Sequence, residues 1–213
     1  MEQDLKNSVM KTGTTILGIV CKDGVVMASD RRVTIGGSVV VSKHMQKTLK
    51  VGDYFLYSGA GSAFVMKKTK MVLEAELRLK ELKSRSRPTV KEAANLLSVL
   101  VNSQAGHIGA MLGGINEDGS TELYTVDPAG HVEKVLDYDA NLGSGFAFVL
   151  GLLERQYKPN THVEEGVKLA VEALKSSTQR DTASGNGFDV FTITRDGIKQ
   201  VISQEIRPDY ESE

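Results

Sequence analysis

The sequence predicts an α+β fold, a four-layer αββα sandwich in which two antiparallel sheets lie between helices. Three observations point to this class. Strand patterns come in pairs joined by short turns that contain Asp-Gly, which is typical of β-hairpins. Helical patterns also come in pairs, one near the middle of the chain and one beyond it. Strands that arrive as hairpins, and not singly between helices, favour antiparallel sheets with helices on their outer faces.

The first half of the chain is predicted to hold the first strands and the first helix pair. The predicted strands are residues 14–21, 25–30, 38–43, 47–51 and 54–59. Apolar residues then recur at helical spacing from Ser62 to Leu82, at Val65, Val72, Leu79 and Leu82. A capping box of Thr89 and Glu92 starts the second helix, whose apolar stripe is Val90, Ala93, Ala94, Leu97, Leu100 and Val101.

The second half repeats this order. The predicted strands are residues 108–116, 120–127, 131–136, 188–194 and 198–203. One helix follows Gly143-Ser144-Gly145 and ends near Tyr157. The next helix is predicted to start from a second capping box, formed by Thr161 and Glu164.

Composition excludes several classes of function. The 213 residues suit one large domain, and the net charge of −1 gives no bulk attraction for a nucleic-acid backbone. A single cysteine, Cys21, excludes an internal disulfide framework, and no apolar run approaches the ~18 residues that span a bilayer. The histidines lie far apart, without the spacing of a metal site: His44, His107, His131 and His162. We therefore expect no metal or other cofactor, no nucleic acid, no membrane partner and a cytoplasmic location.

Several polar residues fit a purely structural role less well. Thr14 and Thr15 open the first strand, Asp30 closes the next, and Lys47 lies in a later one. The segment 179–185 ends a helix in a polar loop that contains glycine. Taken singly, each of these is a cap, a turn or an ion pair. Their combination and order point to a reactive site.

These segments together resemble the β-type subunits of the proteasome, which are N-terminal-nucleophile hydrolases, and they look closest to the archaeal form. The resemblance spans residues 13 to 202. Its motifs are Gly13-Thr14-Thr15, MASDRR (27–32), SKHMQK (42–47), Gly143-Ser144-Gly145 and QRDTASGNG (179–187). It implies the N-terminal-nucleophile hydrolase fold and a threonine endopeptidase that hydrolyses unfolded proteins to short peptides.

The resemblance also assigns roles to particular residues. It implies Thr14 as the nucleophile, with Asp30 and Lys47 as charged neighbours. A polar shell around the Thr14 amine is implied at Ser144, Asp181 and Ser184. The Gly59 backbone N–H would face the substrate carbonyl oxygen. The side-chain pocket is expected at Val33, Met45 and Tyr57, where a tyrosine at the floor would disfavour very large substrate side chains.

Elementary chemistry adds a reason for processing. A threonine hydroxyl needs a base, and the threonine's own α-amine can serve when the threonine is the first residue. In the full chain residues 1–13 block that amine. The sequence therefore predicts a propeptide of residues 1–13, removed by Thr14 through cleavage after Gly13, and a single hydrolase domain of residues 14–213. Lys47 would favour the ionised hydroxyl, while Asp30 would orient the lysine and keep it protonated.

The expected partners follow from the resemblance. They are other β subunits in a heptameric ring, proteasome α-type subunits, a regulatory ATPase reached through the α ring, and unfolded polypeptide substrates. Two alternatives stay open at this point. One is a non-catalytic subunit of the β ring; the other is the related bacterial threonine peptidase that works with a separate unfoldase.

Overall fold

The computed structural model describes residues 13–104 and 106–206, which form twelve strands and four helices. The strands are β1 Ile16–Cys21, β2 Gly24–Asp30, β3 Val33–Ile35, β4 Val39–Ser42, β5 Thr48–Val51, β6 Phe55–Gly61, β7 Ile108–Ile115, β8 Thr121–Val126, β9 Val132–Lys134, β10 Tyr138–Asp139, β11 Gly187–Thr194 and β12 Gly197–Glu205. The helices are α1 Ala63–Ser84, α2 Val90–Asn102, α3 Phe146–Gln156 and α4 Val163–Arg180.

The larger strands build two five-stranded antiparallel sheets. One has the strand order β10-β1-β2-β11-β12, and the other has the order β5-β6-β7-β8-β9. β3 and β4 form a separate two-stranded hairpin with an irregular register after Val33. Consecutive strands pair as hairpins in most of these contacts, as the Asp-Gly turns predicted.

Three apolar clusters separate four layers. The cluster between the two sheets includes Ile16, Met27, Leu56 and Met111. A second cluster packs α1 and α2 against the β5–β9 sheet, and a third packs α3 and α4 against the sheet that contains β1. The predicted four-layer sandwich is confirmed. Within the described ranges, no helix is both long enough and apolar enough to cross a bilayer.

The start of α2 agrees with the prediction in detail. The Thr89 side chain accepts a hydrogen bond from the Glu92 backbone N–H, and the Glu92 carboxylate accepts one from the Thr89 backbone N–H. The buried residues of α2 are Val90, Ala93, Ala94, Leu97 and Val101. This face closes the core over the β5–β9 sheet.

The predicted apolar stripe of α1 lies largely on the wrong face. Val72, Leu79 and Leu82 are exposed, whereas Met66, Thr69, Leu73 and Leu77 are buried. The helix carries apolar residues on two faces, so spacing alone does not identify the face that meets the sheet. The second apolar face is left uncovered in the single chain.

The second predicted capping box does not form. α4 begins at Val163 after His162, and the Thr161 hydroxyl donates to the Lys158 carbonyl. The cap comes from a distant turn, where the Asp23 carboxylate accepts a hydrogen bond from the Val163 N–H at 2.9 Å. A side chain from the β1–β2 turn thus satisfies a free N–H group of the helix end.

Strand boundaries shift most near the sheet edges. The strand predicted at residues 131–136 is Val132–Lys134, and the two-residue β10 that follows was not predicted. β10 pairs with Gly18 and Ile19 of β1. Two residues carry no alternation of polar and apolar side chains, so the sequence offers no strand signal there.

Candidate active site

Thr14 is held in place by backbone contacts on both sides. The Gly145 N–H donates to the Thr14 carbonyl at 3.2 Å, and the Asp30 N–H donates to the Thr15 carbonyl at 3.1 Å. The start of β1 is therefore fixed between the end of β2 and the segment before α3. These contacts place Thr14 where the predicted motifs meet.

The Thr14 side chain faces the peptide bond that precedes it. Thr14 is 1% exposed, and its Oγ1 donates a hydrogen bond to the Gly13 carbonyl oxygen at 2.7 Å. Its backbone N–H donates to the Ser144 Oγ at 3.1 Å. A hydroxyl, a carbonyl and a serine thus converge on the Gly13–Thr14 bond.

Two glycines allow this close approach. A Cβ atom on Gly13 would lie 1.7 Å from the Ala183 Cβ and 2.8 Å from the Ser144 Oγ. Gly143 has a φ of +95°, and a Cβ there would lie 2.2 Å from the Thr14 carbonyl oxygen. Any larger residue at either position must displace the backbone around Thr14.

Asp30 and Lys47 form a buried ion pair beside Thr14. The Lys47 Nζ donates to the Asp30 Oδ1 at 2.6 Å and to the Gly13 carbonyl oxygen at 3.4 Å. The exposed fractions of the two side chains are 2% and 0%. Three backbone N–H groups also donate to the Asp30 carboxylate, from Thr15, Arg32 and Gly185. The carboxylate is therefore fully hydrogen-bonded and holds the ammonium against the Gly13 carbonyl.

Burial lowers the pKa of the Lys47 ammonium from its usual value. The charge of Asp30 and its hydrogen bond act in the opposite direction but do not cancel this effect. With Asp30 beside it, the pKa of Lys47 falls less than burial alone would lower it. Lys47 therefore gives up its proton more readily than an exposed lysine.

Asp181 gathers the predicted serines into a second polar group. The Asp181 Oδ2 accepts hydrogen bonds from the Ser144 Oγ and the Ser184 Oγ, each at 2.6 Å. The Ser144 Oγ is also the acceptor of the Thr14 N–H. A continuous path of hydrogen bonds therefore joins the Thr14 nitrogen to the Asp181 carboxylate through Ser144.

Two residues of this network had no assigned role in the sequence analysis. The Thr15 N–H binds Asp30, and its hydroxyl is 2.7 Å from the Ser184 Oγ, so Thr15 links both polar groups. The Arg32 guanidinium donates to the Thr182 carbonyl and to the Asn186 Oδ1, both at 2.8 Å. Arg32 thereby fastens the loop of Asp181 beside β2. The available signal was their position in the motifs, since Thr15 follows Thr14 and Arg32 lies two residues after Asp30.

Gly59, the glycine predicted to bind the oxyanion, has no hydrogen bond that ties it to Thr14 among the described residues. Gly59 lies in β6, and a Cβ there would meet the Tyr57 hydroxyl at 2.7 Å and the Met66 side chain at 2.9 Å. The oxyanion role of Gly59 stays a prediction.

The predicted pocket residues are only partly brought together. Tyr57 is fully buried in the cluster between β6 and α1, and Met45 packs against the same cluster. Val33 is buried in β3, outside that cluster. Burial raises the pKa of Tyr57, and its hydroxyl has no hydrogen-bond partner among the described residues. The use of these residues as a pocket stays a prediction.

The two sheets between helical layers have the arrangement of the N-terminal-nucleophile hydrolase fold. Residues 10–193 match the family model described as "Proteasome subunit". The chain belongs to the proteasome subunit family.

Similar curated proteins narrow the assignment within the family to the β-type subunit. The "Proteasome subunit beta" of Nanoarchaeum equitans is 39% identical, over 88% of this chain and 96% of the relative. That of Methanobrevibacter smithii is 35% identical, over 91% and 93%, and that of Archaeoglobus fulgidus is 37% identical, over 91% of each. Proteasome β subunits are in general peptidases that assemble with other subunits into the core particle. The sequence-based identification of the family is confirmed.

Proposed function

We propose that the chain is a catalytic β subunit, a threonine endopeptidase that frees its own nucleophile by cleaving the Gly13–Thr14 bond. One observation carries the proposal. The Gly13 carbonyl oxygen accepts a hydrogen bond from the Thr14 hydroxyl at 2.7 Å and lies 3.4 Å from the Lys47 ammonium nitrogen. A nucleophile and a cation thus both meet the carbonyl that would be cleaved.

Self-cleavage would proceed as a transfer of the acyl group from nitrogen to oxygen. The Thr14 Oγ1 gives up its proton and bonds to the Gly13 carbonyl carbon, and Lys47 stabilises the negative charge that develops on the carbonyl oxygen. The carbon–nitrogen bond then breaks, and the proton goes to the Thr14 nitrogen. This step frees the Thr14 amine and leaves residues 1–13 as an ester on Oγ1; water then hydrolyses the ester, which releases residues 1–13 with a terminal carboxylate and restores the Thr14 hydroxyl. Of the released segment, residues 1–12 lie outside the described residues.

The freed amine would become the base for peptide hydrolysis. Its reference pKa of about 7.7–8.0 leaves a substantial neutral fraction near neutral pH. Ser144 already accepts a hydrogen bond from the Thr14 nitrogen and donates one to Asp181. The same contacts would hold the amine beside the hydroxyl after cleavage. Ser184, bonded to both Asp181 and Thr15, would keep this group in place.

Hydrolysis of a substrate would repeat the first reaction on a second chain. The Thr14 Oγ1 attacks a peptide carbonyl, the amine accepts its proton and returns it to the leaving nitrogen, and water cleaves the acyl ester. The Gly59 N–H would bind the oxyanion. One such donor contributes about 2.7–4 kcal/mol to transition-state stabilisation. A buried Tyr57 at the pocket floor would disfavour very large substrate side chains.

Assembly into the expected rings is supported by apolar side chains that the single chain leaves exposed. They include Phe64, Met71, Leu79 and Leu82 on α1 and Val39 and Val41 on β4. Exposed apolar area of this kind marks interaction surfaces. We propose a heptameric β ring stacked on α-type subunits in the cytoplasm, with unfolded polypeptides delivered by a regulatory ATPase through the α ring.

Covalent labelling tests the nucleophile directly. A peptide β-lactone opens when a hydroxyl attacks it, so its whole mass stays on the attacking residue. In complexes assembled with an archaeal α-type subunit, we expect peptide mapping to place the adduct on Thr14. The neighbouring Thr15 hydroxyl, engaged with Ser184, is expected to stay unmodified. An adduct on Thr15 would contradict Thr14 as the nucleophile, and no adduct at all would support the non-catalytic alternative.

Gly13→Ala is expected to slow leader removal by at least about tenfold, because small displacements of reacting groups cost large factors in rate. The new methyl group would overlap Ala183 and push the Gly13 carbonyl away from the Thr14 hydroxyl. The measurement is the time course of leader loss during assembly, followed by mass spectrometry. Gly151→Ala in α3, where a Cβ meets nothing within 4 Å, is the matched control and should process normally. Equal rates for the two variants would contradict the proposed role of Gly13.

A further inference from the structure

Three buried hydroxyl groups form a hydrogen-bonded chain between the two sheets. The Thr48 Oγ1 donates to the Ser29 Oγ at 2.9 Å and is 2.7 Å from the Ser58 Oγ. Because the single Thr48 hydroxyl proton points to Ser29, the Ser58 hydroxyl is the donor to Thr48. All three residues are 0% exposed. The chain joins β2 of one sheet to β5 and β6 of the other.

Each of these hydroxyl residues is adjacent in sequence to a residue of the proposed site. Ser29 precedes Asp30, Thr48 follows Lys47, and Ser58 precedes Gly59. A shift of any one strand would therefore move the neighbouring site residue with it. Such a shift would change the hydrogen bond of Lys47 to Asp30 at 2.6 Å and its contact with the Gly13 carbonyl oxygen at 3.4 Å.

The surroundings of the hydroxyl chain make it unusual. Most of the layer between the sheets is built from apolar side chains such as Ile16, Leu56 and Met111. A buried hydroxyl is costly unless it is paired, and apolar residues of similar shape fill such positions at little or no cost in stability. What a hydroxyl chain adds is direction and fixed spacing, because a hydrogen bond keeps its geometry whereas apolar contacts can slide.

We propose that Ser29, Thr48 and Ser58 are positioning residues that set the spacing of Asp30, Lys47 and Gly59 around Thr14. This inference rests on the proposed peptidase function and names residues of the same site. The hydroxyl groups touch neither Thr14 nor the Gly13 carbonyl among the described contacts. They act through the strands that they join.

Thr48→Val tests the inference, because valine keeps the branched shape and removes the hydroxyl. In the complex assembled with α-type subunits, we expect kcat for a short peptide to fall about tenfold to hundredfold, with KM within about twofold. Thr48→Ser restores the hydroxyl and should recover most of kcat. Thr192→Val is the matched control, since Thr192 is a buried threonine of β11 that pairs with Val26 and Lys199 away from the site. The control should keep the kcat of the unsubstituted complex.

The outcomes separate this inference from the proposed function. If hydrolysis depends on Thr14 but Thr48→Val keeps its full kcat, the positioning role is wrong and the peptidase function stands. If Thr48→Val and Thr192→Val lose kcat equally, the effect is one of general packing and the inference is again wrong. If the unsubstituted complex shows no hydrolysis that depends on Thr14, the proposed peptidase function and the positioning role are both wrong. Ser58→Ala, which removes one bond of the chain, provides the same comparison if Thr48→Val does not assemble.

Discussion

Thr14→Ala is expected to give a folded chain that keeps residues 1–13 and hydrolyses peptides at least about 10³-fold more slowly, since loss of a nucleophile removes the covalent route. The substitution deletes the Oγ1 hydrogen bond to the Gly13 carbonyl but leaves the backbone N–H of residue 14 bonded to Ser144. The loss of one buried hydrogen bond costs only about 0.5–1.5 kcal/mol. The fold should therefore survive, and peptide hydrolysis by the purified complex is the measurement.

Thr14→Ser is the control for this variant, because serine keeps both the hydroxyl and, after cleavage, the α-amine. It should remove its leader and retain measurable hydrolysis. Circular dichroism and the size of the assembled complex show whether Thr14→Ala has folded. A folded Thr14→Ala complex with the activity of the unsubstituted protein would rule out Thr14 as the nucleophile.

Lys47→Met is expected to reduce both activity and stability. The methionine keeps much of the side-chain volume but leaves the Asp30 carboxylate buried without its cation. Breaking a buried ion pair by removing one partner typically costs about 3–5 kcal/mol. The N–H donors of Thr15, Arg32 and Gly185 stay in place and should hold the cost near the lower end. Peptide hydrolysis should fall by about 10²–10³-fold, because the cation that assists leader removal at the Gly13 carbonyl and favours the ionised Thr14 hydroxyl is lost.

A second lysine–carboxylate pair provides the control for Lys47→Met. Lys175 and Glu172 are 2.8 Å apart on the surface of α4, with side chains 52% and 55% exposed. Lys175→Met should change the free energy of unfolding by no more than about 0.5 kcal/mol and leave hydrolysis intact. Urea unfolding of the full chain measures the first quantity. Equal losses of stability in the two variants would contradict the account of the buried pair.

The sequence predicted the fold class because its signals are local. Asp-Gly turns mark the hairpins, and the Thr89–Glu92 capping box places the start of α2 at the residue observed. The motifs of the site were also recognisable in the sequence, and the structure brings residues from three of them together. Asp30 accepts hydrogen bonds from the Thr15 N–H and from Lys47, and Lys47 also donates to the Gly13 carbonyl oxygen. Their chemical roles remain proposals.

What the sequence missed depends on contacts between distant segments. The α4 cap is supplied by Asp23, which lies 140 residues before Val163, so no local pattern could indicate it. The face of α1 that meets the sheet was misassigned because both of its faces carry apolar residues. The hydroxyl chain of Ser29, Thr48 and Ser58 links two sheets whose packing no spacing rule encodes.

The intact mass of the chain tests the central claim most directly. The full chain is produced together with an archaeal α-type subunit, and the intact mass of the β chain in the assembled particle is measured by mass spectrometry. The account predicts a species that begins at Thr14 for the unsubstituted chain and a species that retains residues 1–13 for Thr14→Ala. An unsubstituted chain that stays at full length in the assembled particle, or a Thr14→Ala chain that still begins at residue 14, would contradict it.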